Sequence, residues 1–126
     1  MENFSSPVSR PKQERAPQTY DRQILPEFLE QIDSGLKTLE LRTAWDSWRI
    51  IKAGDYINFY VEGNEKRVKV KVLQVREYHT IDDVMAHEKI ERIAPGMDPE
   101  TAQKRARELF KDQEKHLLIF EIEKVS

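Results

Sequence analysis

The apolar positions change their period several times along the chain, and each change marks an element. Leu25, Phe28, Leu29 and Ile32 recur at helical spacing. Pro26 suits the first turn of that helix, and Ser34-Gly35 suits its end. Leu39–Thr43 then reads as a strand. Residues 44–53 (AWDSWRIIKA) place both tryptophans in an irregular or briefly helical connection. Gly54-Asp55 turns the chain into a β-rich run, Tyr56–Val61, and Gly63-Asn64 is a two-residue hairpin signal.

The next strand, Arg67–Tyr78, changes phase within itself. Val68, Val70 and Val72 alternate with Arg67, Lys69 and Lys71, and the apolar series then moves to Leu73 and Val75. Such a shift predicts a bulge or a barrel corner. Thr80 resembles an N-cap, with Asp83 three residues on, and a short helix should follow from Ile81 to about His87. Asp98-Pro99 opens a further helix, about 98–111, with Ala102, Ala106, Leu109 and Phe110 as its apolar stripe. Leu117–Val125 closes the chain as a strand. About five strands with helices inserted near the start and before the last strand predict a small mixed or antiparallel barrel, not a doubly wound fold.

Residues 1–18 break the pattern. They hold Pro7, Pro11 and Pro17 and few bulky apolar groups, so they are expected to form a flexible tail ahead of a domain over 19–126. A basic arm of Arg10, Lys12 and Arg15 touching a phosphate backbone is the less favoured reading.

Composition narrows the function. With 126 residues, 21 Lys/Arg and 23 Asp/Glu, the chain is one domain with a formal net charge of -2, not a polycation that coats nucleic acid. No apolar run approaches the roughly eighteen residues of a membrane helix, so no membrane association is expected and a cytoplasmic location is the default. There is no cysteine, hence no disulfide framework or thiol nucleophile. His79, His87 and His116 include no pair at i, i+4 metal spacing, glycines do not cluster into a phosphate loop, and no GxSxG elbow occurs. No metal and no cofactor is expected. The charge is uneven, however: residues 35–79 carry nine Lys/Arg and six Asp/Glu, a local net of +3 between acidic flanks. Lys69 and Lys71 could equally be the solvent side of an edge strand.

The densest polar cluster is GLKTLELR, residues 35–42. Strand alternation would place Thr38, Glu40 and Arg42 on one face and Leu39 and Leu41 on the other, with Lys37 just past a helix end. Read as pattern alone, this is an ion-paired sheet face. The residues also match the GxKxxExR signature of the ASCH domain. The resemblance extends to the apolar helix before the glycine (PEFLEQIDSG), the element IKAGDYINF after it, and the valine-rich strand VKVKVLQVREY.

Resemblance to that family implies an α+β, PUA-like small mixed β-barrel of about five to six strands with two to three helices. It further implies a cleft in which Lys37, Glu40 and Arg42 line a pocket for RNA or a nucleotide-like ligand. Arg42 would offer a planar fork to phosphate or base, Lys37 a point charge, and Glu40 an acceptor for an exocyclic amine. Trp45, Trp48 and Tyr78 are the candidate stacking groups, against ordinary packing roles for each. The alternative is a hydrolase of RNA or of a modified nucleoside. Some proteins of this kind resemble an N4-acetylcytidine amidohydrolase with a Lys, a Thr and a Glu. Lys37 matches that Lys, but the Thr position is Glu40 here, and Glu88 and Glu91 stand near the third. In that case Lys37 and Glu40 would be the catalytic pair, as oxyanion stabiliser and general base. A third reading is a protein partner recruited by the charge-rich helix 98–111. The Gly54-Asp55 pair is assigned to structure, as a turn whose Asp bonds nearby amides.

Overall fold

The computed structural model describes residues 15–125. Five strands, β1 (Thr19–Gln23), β2 (Leu39–Thr43), β3 (Tyr56–Tyr60), β4 (Arg67–Tyr78) and β5 (Leu117–Lys124), form one curled mixed sheet in the order β1-β3-β4-β5-β2. Only the β1–β3 pairing is parallel. Five helices accompany it: α1 (Pro26–Asp33), α2 (Asp46–Arg49), α3 (Ile81–His87), α4 (Ile90–Ile93) and α5 (Pro99–Phe110). The α+β, PUA-like small mixed barrel expected from the sequence is what the chain forms, with its five strands curled into a half-barrel.

The curl has an interior and an outer layer, and β5 serves both. Leu118, Phe120 and Ile122 point into the interior with Ile57, Phe59, Val68, Val70, Val72, Leu29 and Ile32. Leu117 and Ile119 point the other way, under Ile81, Val84, Ile90, Ile93, Ala102 and Ala106 of the helical layer. A strand buried on both faces reads as a continuous apolar run, which is what LLIF, residues 117–120, is. Full burial of each such side chain contributes about 1.5–3 kcal/mol.

Several local expectations are met. The β4–β5 register shifts between Val72 and Gln74, where the valine phase changes. The Thr80 and Asp98 side chains cap α3 and α5 by accepting from the amides of Asp83 and Thr101, both at 3.1 Å. Gly54 has φ +95°, and buried Asp55 accepts from the amides of Lys52 (2.8 Å) and Gln18 (2.9 Å) and from Nη1 and Nη2 of Arg15. Arg15 and Gln18 lie within the expected tail; residues 1–14 of that tail, with Arg10 and Lys12, fall outside the described residues.

Other details differ. β1 carries no clean two-residue apolar alternation, and it exists because parallel pairing with β3 satisfies its backbone. The hairpin is wider than Gly63-Asn64 predicts: Tyr60 pairs with Arg67, and the tight turn closes Val61 to Asn64 (3.0 Å). A two-residue type I′ turn needs positive φ at both central positions, and here only Gly63 has it, while Asn64 uses its side chain to bond the Lys66 amide. The two extra helices, α2 and α4, are single turns. Lastly, β4 is the third of five strands, so Lys69 and Lys71 do not guard an edge. Among the described residues no helix is long and apolar enough to cross a membrane.

Candidate functional site

The GLKTLELR segment begins with a helix stop. Gly35, at φ +85°, donates to Ile32 O (3.1 Å), and Leu36 donates to Gln31 O (2.9 Å). This pair of bonds is a Schellman closure, whose left-handed position favours glycine. The reversal sends Lys37 inward beneath α1 and α4. Its ammonium donates to Leu39 O (2.8 Å) and Ile93 O (2.5 Å), pairs with Glu40 Oε1 (3.1 Å), and lies 4.8 Å from the Phe28 ring centre. Three acceptors match the three N–H groups of an ammonium. Lys37 is 3% exposed and Glu40 4%. Burial pushes the Lys37 ammonium below the usual lysine range, against the opposing pull of Glu40.

Glu40 passes the connection on. Its Oε2 accepts from Arg42 Nε at 2.5 Å, and Arg42 Nη2 donates to Gln23 O at 3.2 Å. β2 and β1 are the two edges of the sheet, so Arg42 bridges the open seam of the half-barrel. Its guanidinium also lies 4.5 Å over the Trp48 ring. The Nη1 group carries no hydrogen bond among the described residues.

A cleft of about 480 Å³ opens over this seam. Lys37, Glu40, Arg42, Trp45 and Trp48 all line it, as sequence reasoning expected. Their exposures separate their roles. Trp48 is buried, tilted against Phe120 at 5.4 Å between ring centres, with Arg22 and Arg42 over it. Trp45 is 54% exposed at the rim, with the Lys115 ammonium 5.0 Å from its ring centre. Tyr78 is not in the cleft. It donates to Glu88 Oε2 and stacks with His87 in the helical layer. Glu88 is tied to Arg76, and neither Glu88 nor Glu91 lines the cleft. Thr38 accepts from Arg92 Nε (2.7 Å) instead of joining Glu40 and Arg42.

Residues missed by sequence reasoning complete the cleft. α5 supplies Ala102, Arg105, Ala106 and Leu109 to one wall, and Leu25 and Phe28 supply another. Leu109 was expected in the core stripe of α5 but is 73% exposed at the mouth. An apolar stripe signals a face in need of cover; it does not say whether protein or ligand covers it. Arg105 is exposed and has no carboxylate partner among the described residues. Among the described residues no cluster of His, Asp and Glu could hold a metal ion.

No family model matches the chain, and neither does any curated protein. Solved structures do. The hypothetical protein PH0355 is 30% identical, with 85% of this chain and 99% of that chain covered and a TM-score of 0.70. Protein PF0455 from Pyrococcus furiosus is 28% identical, with 86% and 98% covered and a TM-score of 0.65. ASCH from Zymomonas mobilis is 17% identical, with 82% and 68% covered and a TM-score of 0.58. By its identity to PH0355 the chain belongs to that protein's family, and its fold is that of an ASCH domain.

Proposed function

We propose that the chain binds single-stranded RNA, or a nucleotide-like ligand, in the cleft over the β1–β2 seam. The observation that carries this reading is the Arg42 guanidinium, pinned by Glu40 and Gln23 O, with no hydrogen bond from its Nη1 among the described residues, in a cleft that the exposed Trp45 also lines. A planar fork held in advance loses little freedom when it engages a phosphate or a base edge. Trp45 is exposed and can stack a base in place of Lys115, whereas Trp48 is buried against Phe120 beneath Arg22 and Arg42. Lys37 and Glu40 are the support of Arg42 and not its fellow contacts.

This geometry favours binding over hydrolysis. Every N–H of Lys37 already has an acceptor, which leaves none for an oxyanion. Both Glu40 oxygens receive cations, so neither is free to take a proton from water.

Titration with cytidine monophosphate (CMP) and with short single-stranded RNA tests the reading. Arg42→Ala and Trp45→Ala should each weaken binding about tenfold or more, and Arg42→Ala should lower the salt slope for RNA by about 0.7, one phosphate contact on a single strand. Wild-type affinity in both variants would overturn the site. Incubation with N4-acetylcytidine should yield no product above a Lys37→Ala control; product above that control would replace binding by amide hydrolysis.

A further inference from the structure

The outer face of the sheet carries a second cationic surface, separate from the cleft. Register sets Tyr60 beside Arg67, Asn58 beside Lys69, and Tyr56 beside Lys71. These six alternate with Ile57, Phe59, Val68 and Val70, which fill the interior, so they point outward. Arg67, Lys69 and Lys71 are exposed, and Tyr56, Asn58 and Tyr60 are half-buried. The helical layer covers a different part of the outer face, over Leu39, Leu117 and Ile119.

Arg67 donates to the carbonyls of Asn64 (3.2 Å) and Lys66 (3.3 Å) in the hairpin, and the rest of the charge on this face is not spent on ion pairs. Lys66 and Lys124 pair with Glu30 and Asp33, but Arg67, Lys69 and Lys71 have no carboxylate partner among the described residues. Asp21, on the adjoining strand, is engaged by Asn58 (3.2 Å), and Glu123 stands across from Lys71. Lysines often blunt a sheet edge, but β4 is the central strand: β3 pairs with it over Arg67–Lys71, β5 from Val70 onward, and the Val125 amide donates to Lys69 O (2.9 Å). Two of the cations sit against aromatic rings instead: Arg67 over Tyr60 at 4.7 Å and Lys69 over Tyr56 at 4.8 Å.

We propose that this face is a track for a single-stranded nucleic-acid backbone. Alternate residues along a strand are about 6.8 Å apart, a spacing comparable to the repeat of an extended sugar–phosphate chain. Exposed cation–π contacts are weak beside base–aromatic stacking, so a base can take the ring while the displaced cation takes the phosphate. The row Arg67–Tyr60–Gln23 crosses the sheet, and Gln23 O accepts from Arg42 at the cleft. The track therefore leads to the proposed nucleotide site, and only this directional part rests on that reading. A free nucleotide uses the cleft alone; an oligonucleotide uses both surfaces.

The test compares CMP with a twelve-nucleotide single-stranded oligouridylate on the full chain. In the Lys69→Gln/Lys71→Gln variant, oligonucleotide affinity should fall about tenfold at low salt and the salt slope by about 1.4, at about 0.7 per phosphate contact on a single strand. CMP binding and the melting temperature should not change. Tyr56→Ala/Tyr60→Ala should weaken the oligonucleotide further, and the Phe pair should retain it. Unchanged oligonucleotide affinity and salt slope in the lysine variant would overturn the track while leaving the cleft intact. Lysine-dependent oligonucleotide binding without any CMP binding would support the track and overturn the cleft. Equal loss toward an oligoglutamate would mark an unselective acidic-partner surface and overturn the track.

Discussion

Lys37 and Glu40 form an ion pair at 3.1 Å with both side chains almost fully buried, and this pair joins α4 to β2. An exposed pair three residues apart would contribute a fraction of a kcal/mol. A buried one behaves differently, because removing one partner leaves the other charged and desolvated. Lys37→Met should therefore destabilise the fold by about 3 kcal/mol. Denaturant unfolding measures this, and a loss under 1 kcal/mol would show that Lys37 is not held as described.

The two tryptophans should separate cleanly. Trp48→Ala empties a place in the core beside Phe120 and should cost about 3–5 kcal/mol. Trp45→Ala removes a half-exposed ring and should leave the unfolding midpoint nearly unchanged while weakening RNA. Unfolding curves and binding titrations on the same two variants check both halves.

Gly35→Ala isolates the helix stop. A Cβ built there meets nothing within 4 Å, so no clash enters, and the cost is that of holding a non-glycine residue at φ +85°. About 1–2 kcal/mol should be lost in unfolding experiments. No loss would mean that the chain relaxes out of the left-handed turn freely.

Acid should weaken the fold through two surface clusters. Arg49 and His116 hold the Glu77 carboxyl at about 2, and Lys124 and Lys66 hold Asp33 at about 2. Carboxyls depressed in the folded state favour folding above their unfolded values, about 4, and lose that contribution as pH falls toward 2. The melting temperature should fall over this window, and Glu77→Gln with Asp33→Asn should flatten the fall.

Much of the fold was legible because it is written in local periods. The valine phase change in β4 marks its bulge, Thr80 and Asp98 mark helix starts, and Gly35 marks a helix end. β1 was not legible, since what makes it a strand is a parallel partner more than thirty residues away. In the site, GLKTLELR named Lys37, Glu40 and Arg42. It did not say that Lys37 would have no N–H to spare, because two of its acceptors are backbone carbonyls, one of them on distant α4. Nor could it divide Trp45 from Trp48, or bring Arg105 and Leu109 from α5 to the cleft.

The sequence by itself thus determined which segments are helix and strand over most of the chain, and which short motif brings Lys37, Glu40 and Arg42 to the cleft. Both follow from backbone propensity and from polar alternation, which act between near neighbours. The tertiary structure alone decided which charges are buried and which remain available. Burial depends on what packs from elsewhere in the chain, and it divided one polar cluster into a buried pair, Lys37 and Glu40, and a part-exposed group, Arg42.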